Sequence, residues 1–188
     1  MDGARGWADE FEWLTVGLVR NRQPEWVAAV ALGPTAIEFP DRGAAEAWIV
    51  AGVDPANLGQ ADQFSRTCVS MVTVSGWTVL WADWGLVWTD EQVVRNLSQG
   101  GEFLCHSWGT GSLDLLEVAR DREIVRSFDP WFRDDDPVGA PLPEESAIDW
   151  SQDTHIPGML LLEQLSALGP LDVSLRDRPD ARVFGYTF

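Results

Sequence analysis

Histidine and cysteine, the residue types that supply most zinc ligands and many nucleophiles and general bases, are scarce in this chain of 188 residues. The chain contains two histidines, His106 and His155, and two cysteines, Cys68 and Cys105. These cannot assemble a closed four-ligand zinc site without unusual carboxylate help, so we expect no bound metal. We also expect no cofactor. Cys105 and His106 are neighbours on a predicted strand, where adjacent side chains point to opposite faces, which excludes a thiolate–imidazole dyad between them. A dyad of His106 with Cys68 across the sheet is geometrically allowed, with a structural histidine and buried cysteines as the simpler interpretation.

Tryptophan is the most distinctive residue type, with eleven copies in the chain. If residues 77–82 form a strand, alternation places Trp77 and Trp81 on one face, where we expect both to be part of the core. The strand should end near Asp83, and we expect Trp84 and Trp88 to be exposed near the rim of the sheet. Two indoles beside a carboxylate suit a cation or a basic side chain.

These residues define a candidate ligand or partner surface. It comprises Trp81, Asp83, Trp84, Trp88, His106 and Trp108. The alternative is that the whole tryptophan run is core, and in that case the abundance of tryptophan carries no information about function.

Two further motifs have simpler structural interpretations. Gly109–Ser112 resembles the start of a phosphate-binding turn, but Asp114 occupies the place of the third glycine and the following residues alternate like a strand. We therefore expect a hairpin turn. Asp134–Asp136 could bind a hard cation, but its spacing fits no calcium loop, and we expect a solvated acidic loop over residues 129–145.

The charge is strongly unbalanced, with 30 acidic against 13 basic residues and a formal net charge of −17. Every basic residue is an arginine, which excludes a Schiff-base lysine and a phosphate-loop lysine. Such a surface repels phosphate backbones and anionic lipids, so we expect neither nucleic-acid nor membrane binding. A basic protein or a cationic or apolar small molecule is the expected partner, although the charge could serve solubility alone.

The pattern of apolar residues and turn signals predicts a single α+β domain over residues 1–188. Its sheet should be one antiparallel sheet of hairpins, with helices packed mainly on one face. The predicted helices cover residues 6–14, 24–32, 41–50, 89–98 and 159–168. The predicted strands cover residues 15–20, 68–74, 77–82, 102–108, 113–119, 123–128, 172–175 and 182–188. The helix at 89–98 should begin with a capping box formed by Thr89 and Gln92.

Several short segments form a recognisable pattern. They are Val16–Arg20, Pro24–Val27, Leu32–Gly33, Ser75–Leu80 leading to Gly85, Val94–Gly100, Ala119 and Ser127–Pro130. With these segments the chain resembles an uncharacterised actinobacterial domain family over about two thirds of its length. The family pattern has a glutamate three residues before the glycine that aligns with Gly85, where this chain has Ala82 and carries a carboxylate on the next residue, Asp83. The resemblance implies the order of elements and leaves the function open.

Two functions fit these observations. The first is a non-catalytic, cytoplasmic binding protein that neutralises or scaffolds a basic partner, in the manner of an immunity or adaptor protein. The alternative is a cofactor-free enzyme of specialised metabolism, in which tryptophans line a pocket and Asp83 or His106 moves a proton. The first ten residues lack the features of a secretory signal, and no apolar run approaches the roughly 20 residues that cross a bilayer. An enclosed pocket would favour the enzyme, and an exposed aromatic patch would favour the binding protein.

Overall fold

A computed structural model describes residues 13–51, 66–82, 86–109, 114–152 and 155–187. These residues form one antiparallel sheet of eight strands. The strands are β1 (Trp13–Arg20), β2 (Ile37–Phe39), β3 (Arg66–Val74), β4 (Trp77–Ala82), β5 (Glu102–Gly109), β6 (Leu115–Arg120), β7 (Glu123–Phe128) and β8 (Arg182–Thr187). Their order across the sheet is β2-β8-β3-β4-β1-β5-β6-β7. The α-helices are α1 (Pro24–Ala31), α2 (Arg42–Ala51), α3 (Glu91–Leu97), α4 (His155–Ser166) and α5 (Val173–Arg176). The α+β class and the single antiparallel sheet are as the sequence predicts.

Tight turns set the register of the sheet. Ser75 and Gly76 both have positive φ and join β3 to β4, so that Val74 pairs with Trp77. Asp121 and Arg122 also have positive φ and join β6 to β7. Two consecutive residues with positive φ match the right-handed twist of the flanking strands, which is why such two-residue turns produce tight hairpins.

The start of α2 lies where the sequence predicts it, whereas the residue that caps α3 differs from the prediction. Asp41 Oδ1 accepts a hydrogen bond from the Ala44 amide at 2.8 Å, as expected for the start of α2. At α3 the capping residue is Asp90 rather than Thr89, since the Asp90 carboxylate accepts from the amides of Gln92 and Val93, each at 3.0 Å. Thr89 instead closes a short 3-10 helix, Leu86–Thr89.

Helices lie on both faces of the sheet, rather than mainly on one as the sequence suggested. Residues of α4 pack with Val16, Trp81 and Leu104 on one face, which we call the α4 face. Residues of α1 and α3 pack with Leu80 and Phe103 on the other, the α3 face. The physical reason is that the central strands are buried on both sides: all six residues of β4 are buried. A strand with two buried faces needs a cover on each.

Four local predictions differ from the structure. Leu14, predicted to end a helix, lies in β1, and the remainder of that predicted helix falls outside the described residues except for Trp13. Residues 172–175 were expected to form a strand that pairs with 182–188, but they lie largely in α5, and β8 pairs with β2 and β3. The strand β2 has no counterpart among the predicted strands, and α4 begins four residues before Met159. These elements depend on contacts between distant segments that local patterns do not encode.

The tryptophans can be sorted by mutation. Trp81→Ala and Trp88→Ala should each lower the free energy of unfolding by about 3 to 5 kcal/mol, because each leaves a large cavity in a fully buried position. Trp131→Ala is the matched control, since this indole is 63% exposed, and its cost should stay below about 1 kcal/mol. Chemical denaturation of the three variants measures these changes in the free energy of unfolding. Equal losses of unfolding free energy in Trp88→Ala and Trp131→Ala would contradict the burial of Trp88.

Candidate functional site

The four described members of the candidate surface are all buried. Trp81, Trp88 and His106 are 0% exposed, and Trp108 is 6% exposed. The expected exposure of Trp88 is therefore wrong: its indole packs in the core of the α3 face, because the chain folds back over the sheet through the 3-10 helix Leu86–Thr89. Asp83 and Trp84 lie outside the described residues.

The α4 face brings three of these residues together. Val16 of β1 pairs with Trp81 on one side and with His106 on the other, so these side chains share a face. The His106 and Trp108 rings lie 4.9 Å apart, and His155 of α4 stacks on Trp108 at 6.1 Å. Trp88 lies on the opposite face, so the predicted set does not form one surface.

His106 is held against the backbone of α4. A methyl group at Gly158 would overlap the imidazole, so only glycine fits at this point of the helix. Neither imidazole nitrogen has a hydrogen-bond partner among the described residues. Burial, with a smaller electrostatic contribution from His155, lowers the pKa of His106 to about 3. His106 is therefore a neutral packing element at neutral pH.

The structure does not form the dyad of His106 with Cys68. Both residues lie on the α4 face, but β4 and β1 separate their strands. Three strand spacings amount to roughly 14 Å, beyond the reach of a hydrogen bond. Cys105 lies on the opposite face beside Glu117, and both cysteines are buried and form no disulfide. Burial also raises the pKa of the Cys105 thiol, which keeps it protonated and unreactive.

Among the described residues, the strongly exposed aromatic side chains lie elsewhere, in the acidic segment after β7. Trp131 is 63% exposed, Phe132 is 61% exposed and Val138 is 50% exposed. The three aspartates at 134–136 between them are exposed as well. We call residues 129–138 the acidic–aromatic loop. It is closed at its base by two backbone hydrogen bonds, 3.1 and 2.8 Å long, between Ser127 and Val138.

A buried ion pair holds this loop to the sheet. Arg126 of β7 and Glu145 are 2% and 5% exposed and form two parallel hydrogen bonds of 2.8 and 3.0 Å. The guanidinium also donates to the Gly139 carbonyl at 3.0 Å, and the carboxylate accepts from the Leu142 amide at 2.9 Å. These contacts fix the chain that leaves the loop.

A second buried carboxylate lies near the base of the loop, on the α3 face. Glu117 of β6 pairs with Cys105 on one side and with Ser127 on the other. It is 5% exposed, and its Oε2 has no hydrogen-bond partner among the described residues. Burial raises the pKa of Glu117 to about 7; Glu91 of α3 adds to this, and a hydrogen bond with Ser127 opposes it. The neutral form of Glu117 is therefore more favoured than that of an exposed glutamate.

The comparisons with known proteins address the family. A family model matches residues 7–141, which is most of the chain. The chain belongs to DUF6461, a family of unknown function. The uncharacterised family expected from the sequence is thus confirmed. Neither the curated proteins nor the solved structures gave a match.

The DUF6461 match includes β1 to β7 and the acidic–aromatic loop but ends before Glu145, α4 and β8. Within the described residues, no group of three or more histidine, cysteine, aspartate or glutamate side chains is arranged to hold a metal ion. In the same residues, no helix is long and apolar enough to span a membrane.

Sequence reasoning missed Trp131, Phe132 and Glu117. The signals for them were present. Two adjacent aromatic residues between Asp129 and Asp134 have no apolar periodicity around them, and this indicates that they do not face a core. A single carboxylate within the apolar strand β6 indicates a buried charge that needs a reason.

The buried histidine predicts a dependence of stability on pH. Because the pKa of His106 is lowered in the folded state, the unfolded chain takes up a proton near pH 6.5 that the folded chain refuses. Stability should therefore fall as pH drops below 6.5, by about 2 kcal/mol between pH 7 and pH 5 relative to a His106→Leu variant. Denaturation of both proteins at the two pH values measures the difference.

His155→Leu provides the control for this experiment. It should keep most of the dependence on pH, because burial rather than His155 is the larger cause of the shift. An equal pH dependence in wild type and His106→Leu would show that His106 is not the group responsible.

The ion pair makes a separate prediction. Arg126→Met should lower the free energy of unfolding by about 3 to 5 kcal/mol, because it leaves the Glu145 carboxylate buried without its partner. Arg178→Met removes an exposed pair with Asp180 and should leave the free energy of unfolding nearly unchanged, because an ion pair in water contributes little to stability. Urea denaturation of Arg126→Met and Arg178→Met compares their free energies of unfolding with that of the wild type. A loss in Arg126→Met as small as that in the control would contradict the structural role of the pair.

Proposed function

We propose that this protein binds a basic protein partner through the acidic–aromatic loop and performs no catalysis with it. The observation that carries the proposal is the joint exposure of Trp131 and Phe132 next to three consecutive exposed aspartates. The function is the binding role expected from the sequence, with its surface moved from the buried tryptophans to this loop. A bacterial, cytoplasmic immunity or adaptor protein is the role we propose.

The loop has the composition of a binding surface for arginine or lysine side chains. Tryptophan is enriched among the residues that dominate binding energy at protein interfaces, and its ring also attracts cations. Neighbouring carboxylates add hydrogen-bond acceptors for a guanidinium. The net charge of −17 gives the whole molecule a field that attracts a basic partner and speeds its association.

The position of the loop also supports this role. The Ser127–Val138 hydrogen bonds and the Arg126–Glu145 pair fix both ends of the exposed segment. A segment held in one conformation loses less entropy when it binds than a free chain does. The aromatic pair is thus presented on a defined support at the outer edge of the sheet, beyond β7.

A second candidate function is a cofactor-free enzyme that uses His106. It is favoured by one observation: both imidazole nitrogens lack partners among the described residues, beside the Trp108 ring. However, Gly158 of α4 lies directly against the imidazole, so a substrate would have to displace the helix. The binding function requires no such displacement, and we prefer it for that reason.

The binding proposal can be tested with an acetylated, amidated deca-arginine peptide. Isothermal titration calorimetry should show binding to the wild-type protein that weakens as salt is raised, because the attraction is between charges. The double variant Trp131→Ala/Phe132→Ala should bind about tenfold more weakly, since it loses the aromatic anchors.

The matched control is Val50→Ala, which truncates another exposed apolar side chain, 70% exposed, on α2. It should bind the peptide as the wild type does. Absence of any binding to the wild type, or equal binding by the double variant, would overturn the proposal.

A further inference from the structure

We propose that the Glu117 carboxylate is a binding site for a cationic side chain of the partner, a guanidinium or an ammonium group. This inference rests on the proposed function and extends its surface from the acidic–aromatic loop onto the α3 face of the sheet. A deca-arginine peptide serves as the chemical probe for such a partner.

Sheet register connects Glu117 to the loop. Paired residues on neighbouring antiparallel strands project from the same face, and Glu117 pairs with Ser127, which in turn pairs with Val138. Val138 belongs to the loop and is half exposed, and Ser127 is half-buried. A continuous row of three residues therefore crosses the sheet from Val138 in the exposed loop, through the half-buried Ser127, to Glu117.

The unpartnered oxygen of Glu117 gives this row its chemistry. Ser127 provides a hydrogen bond to the carboxyl group, while Oε2 has no partner among the described residues. Leaving such an atom unpaired and buried is unfavourable. A guanidinium or ammonium that enters along the row from the loop would donate to this oxygen.

The surroundings of Glu117 favour a cation over an anion. From β5 it faces the Cys105 thiol, from β7 the Ser127 hydroxyl, and from α3 the negative charge of Glu91, which is paired with Arg95 at 2.7 Å. Among the described residues, the charged group that acts electrostatically on Glu117 is the carboxylate of Glu91, and no cation contributes. A bound cation would supply the positive charge that this site lacks and would stabilise the ionised form.

Binding at this site should be linked to the loss of a proton. Because the pKa of Glu117 is raised to about 7, the free protein is mostly protonated there at pH 6 and mostly ionised at pH 8. Affinity for a cation should rise with pH through this range and level off above it. The change expected between pH 6 and pH 8 is about tenfold, since only the ionised fraction is competent to bind.

The test compares the peptide affinities of wild type and Glu117→Gln at pH 6 and pH 8 at constant ionic strength. Arginine stays charged throughout, so the dependence on pH comes from the protein. Wild type should bind about tenfold more tightly at pH 8, and Glu117→Gln should bind equally at both pH values, no more tightly than wild type does at pH 6. Glutamine keeps the size of the side chain and an acceptor for Ser127, and it mimics the neutral acid.

The matched control is Glu123→Gln, an exposed carboxylate at the start of β7, which should retain the tenfold dependence. Carbon-detected NMR of the Glu117 carboxyl group gives a second readout, because saturating peptide should lower its pKa. If Glu117→Gln keeps the dependence on pH, or if the peptide leaves the Glu117 pKa unchanged, this inference is overturned. Loss of binding in Trp131→Ala/Phe132→Ala would still support the proposed function in that case, and no binding by wild type would overturn both.

Discussion

The buried pair of Arg126 and Glu145 is the interaction on which the proposed binding surface depends. Two charged groups without water require each other, since removing either leaves a charge in a poorly solvated site. The guanidinium makes two further contacts: it donates to the Gly139 carbonyl, and it lies 4.4 Å from the centre of the Phe128 ring. The backbone of Glu145 accepts from the Trp150 indole at 3.1 Å, and that indole packs edge-on against Phe128. One ion pair thus joins the edge strand, the end of the loop and the segment that leads to α4.

The turns, helix starts and strands that depend on a few neighbouring residues could be predicted from the sequence. The two-residue turn at Ser75–Gly76, the start of α2 at Asp41 and the alternating strands follow from residue preferences over a few positions, and the structure confirms them. The start of α3 was predicted one residue early, because Asp90 rather than Thr89 caps this helix. The sequence did not predict how these elements are covered, because that depends on contacts between distant segments. β8 inserts between β2 and β3 although it comes last in the described chain, and helices cover both faces. Trp88 illustrates the consequence, since a residue next to a strand end appears exposed until the 3-10 helix carries it back into the core.

The candidate site was harder to predict than the fold because its aromatic residues are exposed and its carboxylate is buried, the opposite of the usual distribution. The aromatic residues best suited to binding are the exposed pair, Trp131 and Phe132, whereas the tryptophan run that dominates the sequence is buried where the structure describes it. Likewise, the carboxylate with an available oxygen is the buried Glu117 rather than one of the many exposed acids. Composition counts residues of each type, but it cannot distinguish an indole in the core from one in water. That distinction requires the register of the strands and the path of the loop.

The acidic–aromatic loop is unfavourable in the isolated chain in two ways. Trp131 and Phe132 expose apolar surface, which water solvates poorly, and Asp134–Asp136 place like charges on consecutive residues. A loop that served solubility alone would need the aspartates and not the aromatic pair, while a loop that completed the core would bury the aromatics. A basic partner with an apolar contact would relieve both penalties at once, because it would cover the rings and neutralise the carboxylates. The same partner would also reach the Glu117 side of Ser127, where burial has already made a carboxylate reluctant to ionise without a cation beside it. The three features favour one kind of ligand, and this agreement is the strongest physical argument for a binding function.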